Sequence, residues 1–217
     1  MTADLFAALP SSSPACETIA DGAMILHGFA AAQATDLLAA IERIARIAPF
    51  RLMVTPGGYE MSAAMTSCGS YGWVTDHSGY RYAAADPARN APWPSIPDLF
   101  LALARDAATA AGFNGFVPDS CLINRYEAGS KLSLHQDRDE EDMSAPIVSV
   151  SLGIPAVFQF GGLTRRAPTG RHRLEHGDIV VWGGPARLAY HGIALVKPGL
   201  HPLTGAYRYN LTFRKAR

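Results

Sequence analysis

The chain has 217 residues, 48% of them hydrophobic and 18% charged, enough for one generous domain with a sizeable core and too apolar for general disorder. Lysine plus arginine equals aspartate plus glutamate at 19 each, so the formal net charge is zero and a polyanionic partner needs a local basic patch or stacking. Cys16, Cys68 and Cys121 are too scattered for a disulfide framework or a zinc site, and no stretch reads as a membrane span or a secretory signal, so a soluble cytoplasmic protein without a membrane partner is expected.

Residues up to about Asp21 contain Pro10, a serine run and Pro14, and read as a loose leader over 1–21. Over 31–48, Leu37, Leu38, Ile41, Ile44 and Ile47 recur at helical spacing, and Pro49 ends that helix. Residues 54–93 are rich in glycine and in aromatics, among them Tyr59, Tyr71, Trp73, Tyr80, Tyr82 and Trp93, which predicts short strands between turns. Two explanations stand for these rings: a hairpin burying them in the core, or a lid turning them toward a ligand. A second helix starts near Pro97, carries Leu99, Phe100, Leu103 and Ala107 on one face, and stops at Gly112. Beyond Phe116 the pattern is strand-like, with candidates at 120–126, 147–152, 156–160, 178–182 and 207–214. Helices first and strands after, without βαβ alternation, predict an α+β protein on an antiparallel sheet of double-sheet jelly-roll type.

Within Leu134-His135-Gln136-Asp137, an extended backbone would turn His135 and Asp137 to the same side, offering an imidazole and a carboxylate to one ion. His191, in Tyr190-His191-Gly192, is the best third ligand. Two histidines and a carboxylate on one face of an octahedron leave three positions open, the arrangement of iron(II) oxygenases. An HxD segment alone is equally a surface histidine bonded to a nearby aspartate, so a second signature is needed.

That signature is Arg208-Tyr209-Asn210-Leu211-Thr212-Phe213-Arg214. Alternation places Tyr209, Leu211 and Phe213 on one face and Arg208, Asn210, Thr212 and Arg214 on the other. If the polar face lines a barrel, its two guanidiniums need anions, and a carboxylate matches them in geometry. 2-Oxoglutarate meets this need, chelating iron through its keto acid and offering its far carboxylate to a deep arginine. In 120–126, Asn124 and Tyr126 share a face and can bond the same molecule.

The stretches Cys121-Leu122-Ile123-Asn124-Arg125-Tyr126, Lys131-Leu132-Ser133-Leu134-His135-Gln136-Asp137 and Ile147-Val148-Ser149-Val150-Ser151-Leu152-Gly153 closely resemble the AlkB family of iron(II)/2-oxoglutarate-dependent alkylation-repair dioxygenases. So do Glu175-His176-Gly177-Asp178, Val181-Trp182-Gly183-Gly184, Tyr190-His191-Gly192-Ile193 and the arginine strand, and Val54-Thr55-Pro56-Gly57-Gly58-Tyr59 with Gly72-Trp73 resembles the family's nucleotide-recognition lid. The likeness covers nearly all of the chain beyond its first twenty or so residues. It implies a single 1–217 domain with a double-stranded β-helix (jelly-roll) core over about 116–217, N-terminal supporting helices and a lid over about 50–95.

The resemblance further implies Fe(II) on His135, Asp137 and His191, as catalytic and metal residues, and 2-oxoglutarate on Asn124, Tyr126, Arg208, Asn210 and Arg214. Trp73 would stack on the damaged base with His135 on its other side, Met65 would line the pocket, Tyr80 and Arg165 would meet the nucleic acid, and Asp139 would face the exocyclic nitrogen. The implied reaction is oxidative dealkylation of 1-methyladenine and 3-methylcytosine in single- or double-stranded DNA, with RNA a further candidate, using O2 and releasing succinate, carbon dioxide and formaldehyde. Single-stranded alkylated DNA is the favoured partner, because an unpaired base is cheapest to extrude, and a monomer is expected. Arg138 stands where the best-known member has lysine, and 165–173 and Gly205-Ala206-Tyr207 depart further. Lys131, Arg138, Arg165, Arg166, Arg171 and Arg173 are candidates for a cationic rim. Two other readings share much of this pattern: a 2-oxoglutarate oxygenase acting on protein or a small molecule, and a noncatalytic nucleic-acid module on a decayed scaffold.

Overall fold

The computed structural model describes residues 15–217. In chain order the elements are β1 (Cys16–Ala20), β2 (Ala23–Leu26), α1 (Ala34–Ile47), β3 (Ala64–Gly69), β4 (Gly72–Asp76), β5 (Gly79–Ala83), β6 (Ala85–Asp86), β7 (Ala91–Pro92), α2 (Asp98–Ala110), β8 (Ser120–Tyr126), β9 (Leu132–His135), β10 (Ile147–Gly153), β11 (Ala156–Gly161), β12 (Thr169–Leu174), β13 (Ile179–Trp182), β14 (His191–Ile193) and β15 (Arg208–Arg214). Seven strands form an antiparallel sheet in the order β1-β2-β13-β10-β15-β8-β3, and four form a second, β12-β11-β14-β9. Two further pairs, β4-β5 and β6-β7, fall within the segment expected to form a lid. No helix among the described residues is long and apolar enough to cross a membrane.

The loose leader lies partly outside the described residues; the part inside them corrects the expectation. Cys16–Ala20 is an edge strand paired with β2, and Ala20 faces Ala23 across a two-residue turn, Asp21-Gly22. Asp-Gly suits a tight hairpin turn, and here Gly22 alone of the pair takes the positive φ that glycine tolerates. Gly22 has φ +77°, and a Cβ there would sit 2.5 Å from the Gly183 carbonyl oxygen. Only glycine fits.

Both helices cover the outer face of the large sheet. Leu37, Ile41 and Ile44 of α1 and Phe100, Leu103 and Ala107 of α2 meet Ile123, Val148, Val150, Ile179, Val181, Leu211 and Phe213. Ile47, expected on the apolar face of α1, is instead exposed at its last turn. Strand alternation assigns the opposite side chains to the space between the sheets, where Val180 and Trp182 join Tyr126, Phe158, Phe160 and Ile193. The large sheet therefore has two apolar faces, which is why β10 is buried at all seven positions.

Candidate active site

Strands β8, β15 and β10 lie side by side, and their register sets one polar row. Asn210 stands opposite Asn124 on one side and Ser151 on the other; Arg208 stands opposite Tyr126 and Gly153. The serines secure the row from behind: Asn210 Nδ2 donates to Ser149 Oγ at 2.8 Å, and Arg208 Nη2 donates to Ser151 Oγ at 2.9 Å. Sequence reasoning passed over these two serines, although polar residues two apart in an otherwise apolar strand were a legible sign of a polar inner face.

The facing small sheet supplies the histidines. His135 ends β9 and His191 begins β14, and they are direct partners in the antiparallel register. Gly192 permits this pairing: a Cβ there would meet the Leu132 carbonyl oxygen at 2.5 Å. Each imidazole gives its Nδ1–H to a backbone carbonyl, His135 to Ser133 at 2.9 Å and His191 to Ala189 at 3.0 Å, which leaves both Nε2 atoms as acceptors. Asp137 is not in an extended strand, as expected from the sequence, but in the loop beyond β9. Side chains hold that loop where the ladder ends: Arg187 Nη1 donates to the Asp137 carbonyl at 2.7 Å, and Gln136 Nε2 to the Leu188 carbonyl at 2.6 Å. Asp137 Oδ1 lies 3.4 Å from His135 Nε2 and Oδ2 3.8 Å from His191 Nε2, and the three ligand atoms fall within 4.8 Å of one another.

Electrostatics prepare these groups. Burial, followed by the nearby His135, holds His191 down at about 4, so its imidazole is neutral near pH 7, the form that ligates metal. Burial pushes the Asp137 carboxyl up, but Arg214 and the two histidines outweigh it and keep the carboxyl well below its ordinary range. Arg214 donates to Asp137 Oδ2 through Nη2 at 2.6 Å and Nε at 2.9 Å.

A cavity of about 660 Å³ joins the sheets, lined by Asn124, Tyr126, His135, Asp137, His191, Asn210 and Arg214. Its wall also includes Met65, Trp73, Tyr80, Asp139 and Arg165, so the β4–β5 hairpin and the two sheets share one chamber. Arg208 is the exception: it is 1% exposed and sits behind the wall, its guanidinium 5.0 Å from the Tyr126 ring. Trp73 stacks on Tyr80 with centroids 5.7 Å apart and donates its indole N–H to Asp139 Oδ2 at 3.0 Å. The aromatics of 54–93 thus divide between the two explanations: Trp73 and Tyr80 face the chamber, whereas Tyr82 and Trp93 are buried away from it. Trp182, also missed, packs against His191 at 4.8 Å. Of the expected cationic rim, Lys131, Arg138 and Arg165 line the cavity, whereas Arg166 and Arg171 lie out on the β11–β12 hairpin and Arg173 pairs with Glu175.

Comparison with known proteins agrees with this arrangement. The profile of the 2OG-Fe(II) oxygenase superfamily matches residues 22–214. A Salmonella typhimurium protein named alpha-ketoglutarate-dependent dioxygenase AlkB is 60% identical over 213 residues, covering 98% of this chain and 97% of its own. The chain belongs to the AlkB family. The Escherichia coli protein of the same name is 59% identical over the same coverage. A solved structure described as "The structure of OsALKBH1" superposes with a TM-score of 0.82 at 29% identity, over 93% of this chain and 100% of that one. As an AlkB-family member the chain is a dioxygenase that uses Fe(II), 2-oxoglutarate and O2.

The residues present fit those groups. Two imidazoles and a carboxylate form the donor set that suits non-haem iron(II). Among the described residues, Arg208 Nε and Nη1, Arg214 Nη1 and the Tyr126 hydroxyl are buried and make no hydrogen bond. Buried donors left unbonded are costly, and a dicarboxylate reaching across the row would satisfy them at both ends.

Proposed function

We propose that this AlkB-family enzyme removes alkyl groups from N-alkylated nucleic-acid bases, 1-methyladenine and 3-methylcytosine above all. DNA, single-stranded by preference, is its substrate, RNA is a further one, and it works as a monomer in the cytoplasm. The observation that carries the reading is the meeting in one cavity of the His135–Asp137–His191 cluster, the polar row of β8 and β15, and the lid tryptophan.

In this reading His135, Asp137 and His191 hold iron, while Asn124, Tyr126, Arg208, Asn210 and Arg214 hold 2-oxoglutarate. Bound iron supplies the oxidising chemistry that, with 2-oxoglutarate and O2, hydroxylates the carbon attached to the base nitrogen. The resulting hemiaminal collapses to formaldehyde and the restored base. The chain's own side chains select and place the base. Trp73 offers a stacking face worth roughly 1–3 kcal/mol per base, whatever its identity. Asp139 presents a carboxylate that favours a base made cationic by methylation, and Met65 bounds the pocket. Tyr80 and Arg165 stand where the strand would pass. Extruding the base costs least when methylation has already spoiled its pairing.

The direct test is formaldehyde release from methylated single-stranded oligonucleotides, with and without iron and 2-oxoglutarate. His135→Ala should abolish it with the fold retained; turnover in that variant would remove the iron assignment. Trp73→Ala separates base repair from an oxygenase acting on other substrates: repair should fall far more than uncoupled 2-oxoglutarate consumption. An equal fall would refute the stacking role.

A further inference from the structure

Trp73 and Tyr82 stand directly opposite each other in the β4–β5 hairpin, and consecutive acids of one loop bind them. Asp139 takes the indole N–H of Trp73 at the exposed mouth, and Glu140 takes the hydroxyl of Tyr82 at 2.6 Å in the interior. Glu140 is almost wholly buried, its side chain 2% exposed. Its second oxygen accepts from Arg187 Nη2 at 3.0 Å, while the oxygen bound to Tyr82 also lies 3.3 Å from Arg214 Nε. Arg187 in turn bonds the backbone carbonyls of Asp137 and Ala145. Neither Tyr82 nor Glu140 lines the cavity, so neither is placed to touch cosubstrate or base.

We propose that Glu140 is a positioning residue that couples docking of the lid to the orientation of Arg214, so that base pocket and cosubstrate pocket are set together. One carboxylate oxygen is shared between two donors, the lid phenol and the guanidinium. Burial pushes the Tyr82 phenol well above its ordinary range, so it stays protonated and donates. With Tyr82 in place, that oxygen is satisfied from the lid side, and Arg214 is directed through Nη2 toward the cavity and Asp137. When the lid lifts and the phenol leaves, the buried oxygen must draw on Arg214, its remaining donor, and turn it from the cosubstrate. A buried acceptor left unbonded is costly enough to force that choice.

This inference rests on Arg214 being a cosubstrate residue, and the test separates the two. Tyr82→Phe keeps the ring and removes only the hydroxyl. In the metal-free protein it should speed hydrogen exchange at β4 and β5 amides by about 10- to 100-fold relative to β10 and β15, the yield of one hydrogen bond to a charged group. In Mn(II)-loaded protein without nucleic acid, it should weaken 2-oxoglutarate binding by roughly fivefold. Glu140→Gln should do the same, and the double variant should be no worse than the more severe single one, because both act along one path. If Tyr82→Phe loosens the lid and leaves 2-oxoglutarate affinity unchanged, or if the two effects add, the coupling is refuted; Tyr82→Phe alone decides should Glu140→Gln fail to fold. Unchanged affinity in Arg214→Ala would instead overturn the cosubstrate assignment.

Discussion

Arg208 and Arg214 occupy opposite ends of β15 and share its inner face, yet their surroundings differ. Arg214 is neutralised by Asp137 and Glu140, whereas Arg208 has a serine, an aromatic ring and two buried N–H groups without hydrogen bonds. A buried cation without a counter-ion is a burden to the fold, so its presence is better explained by binding than by stability. Arg208→Met should therefore weaken 2-oxoglutarate binding by roughly 10- to 100-fold, the range for a hydrogen-bonded charge. The urea midpoint of the metal-free variant should match or exceed that of the parent protein. A fall in both would mean that the guanidinium holds the strands together.

At the scale of elements, the site depends on how closely two strands approach. His135 and His191 face each other only because β9 lies against the bare backbone of Gly192. Gly192→Ala inserts a methyl group 2.5 Å from the Leu132 carbonyl oxygen and must move β14 outward. Iron affinity, followed by metal titration, should fall at least tenfold, since ligand geometry tolerates little displacement, while far-ultraviolet circular dichroism stays unchanged. Unaltered affinity would show that the loop carrying Asp137 can follow the strand. Gly22→Ala tests a different joint: positive φ and the Gly183 carbonyl both oppose it, and a loss above about 1 kcal/mol in urea denaturation is expected.

The whole molecule is electrically neutral, and this sets how it holds a polyanion. Besides Arg214, which Asp137 and Glu140 neutralise, Lys131, Arg138 and Arg165 line the cavity. Contact with three phosphates on a single strand predicts a slope of about −2 for log affinity against log salt. A slope near about −4 would bring in the β11–β12 hairpin, with Arg166, Arg171 and Arg173. Fold stability has its own pH dependence. His176 stacks on His201 with centroids 4.2 Å apart and accepts the Gly153 N–H at Nδ1, which requires a neutral ring. Burial and then His201 lower its pKa from the ordinary 6.5. The unfolded chain binds this proton more readily, so the contribution is present above about 6.5 and lost as pH falls through the folded value. Urea midpoints should drop on acidification below about pH 6.5, and the drop should shrink in His176→Asn.

Much of this was written along the chain. Helical spacing located α1 and α2, alternation located β8, β10, β11, β13 and β15, and the division of β15 into an apolar and a polar face came directly from its period of two. Those are local properties, since each residue's side is set by its neighbours' dihedral angles. The HxD segment and the arginine strand were recognisable for the same reason. What local pattern could not decide was proximity. That His135 meets His191 rather than another histidine depends on the register of β9 against β14, and that Arg214 reaches Asp137 depends on two sheets folding face to face. Likewise, whether the aromatics of 59–93 were core or lid turned on where the hairpin docks, and Glu140 drew no notice because a lone acid acquires meaning only once Tyr82, Arg187 and Arg214 surround it. Backbone geometry determines which way a side chain points, but only long-range packing determines what it meets there.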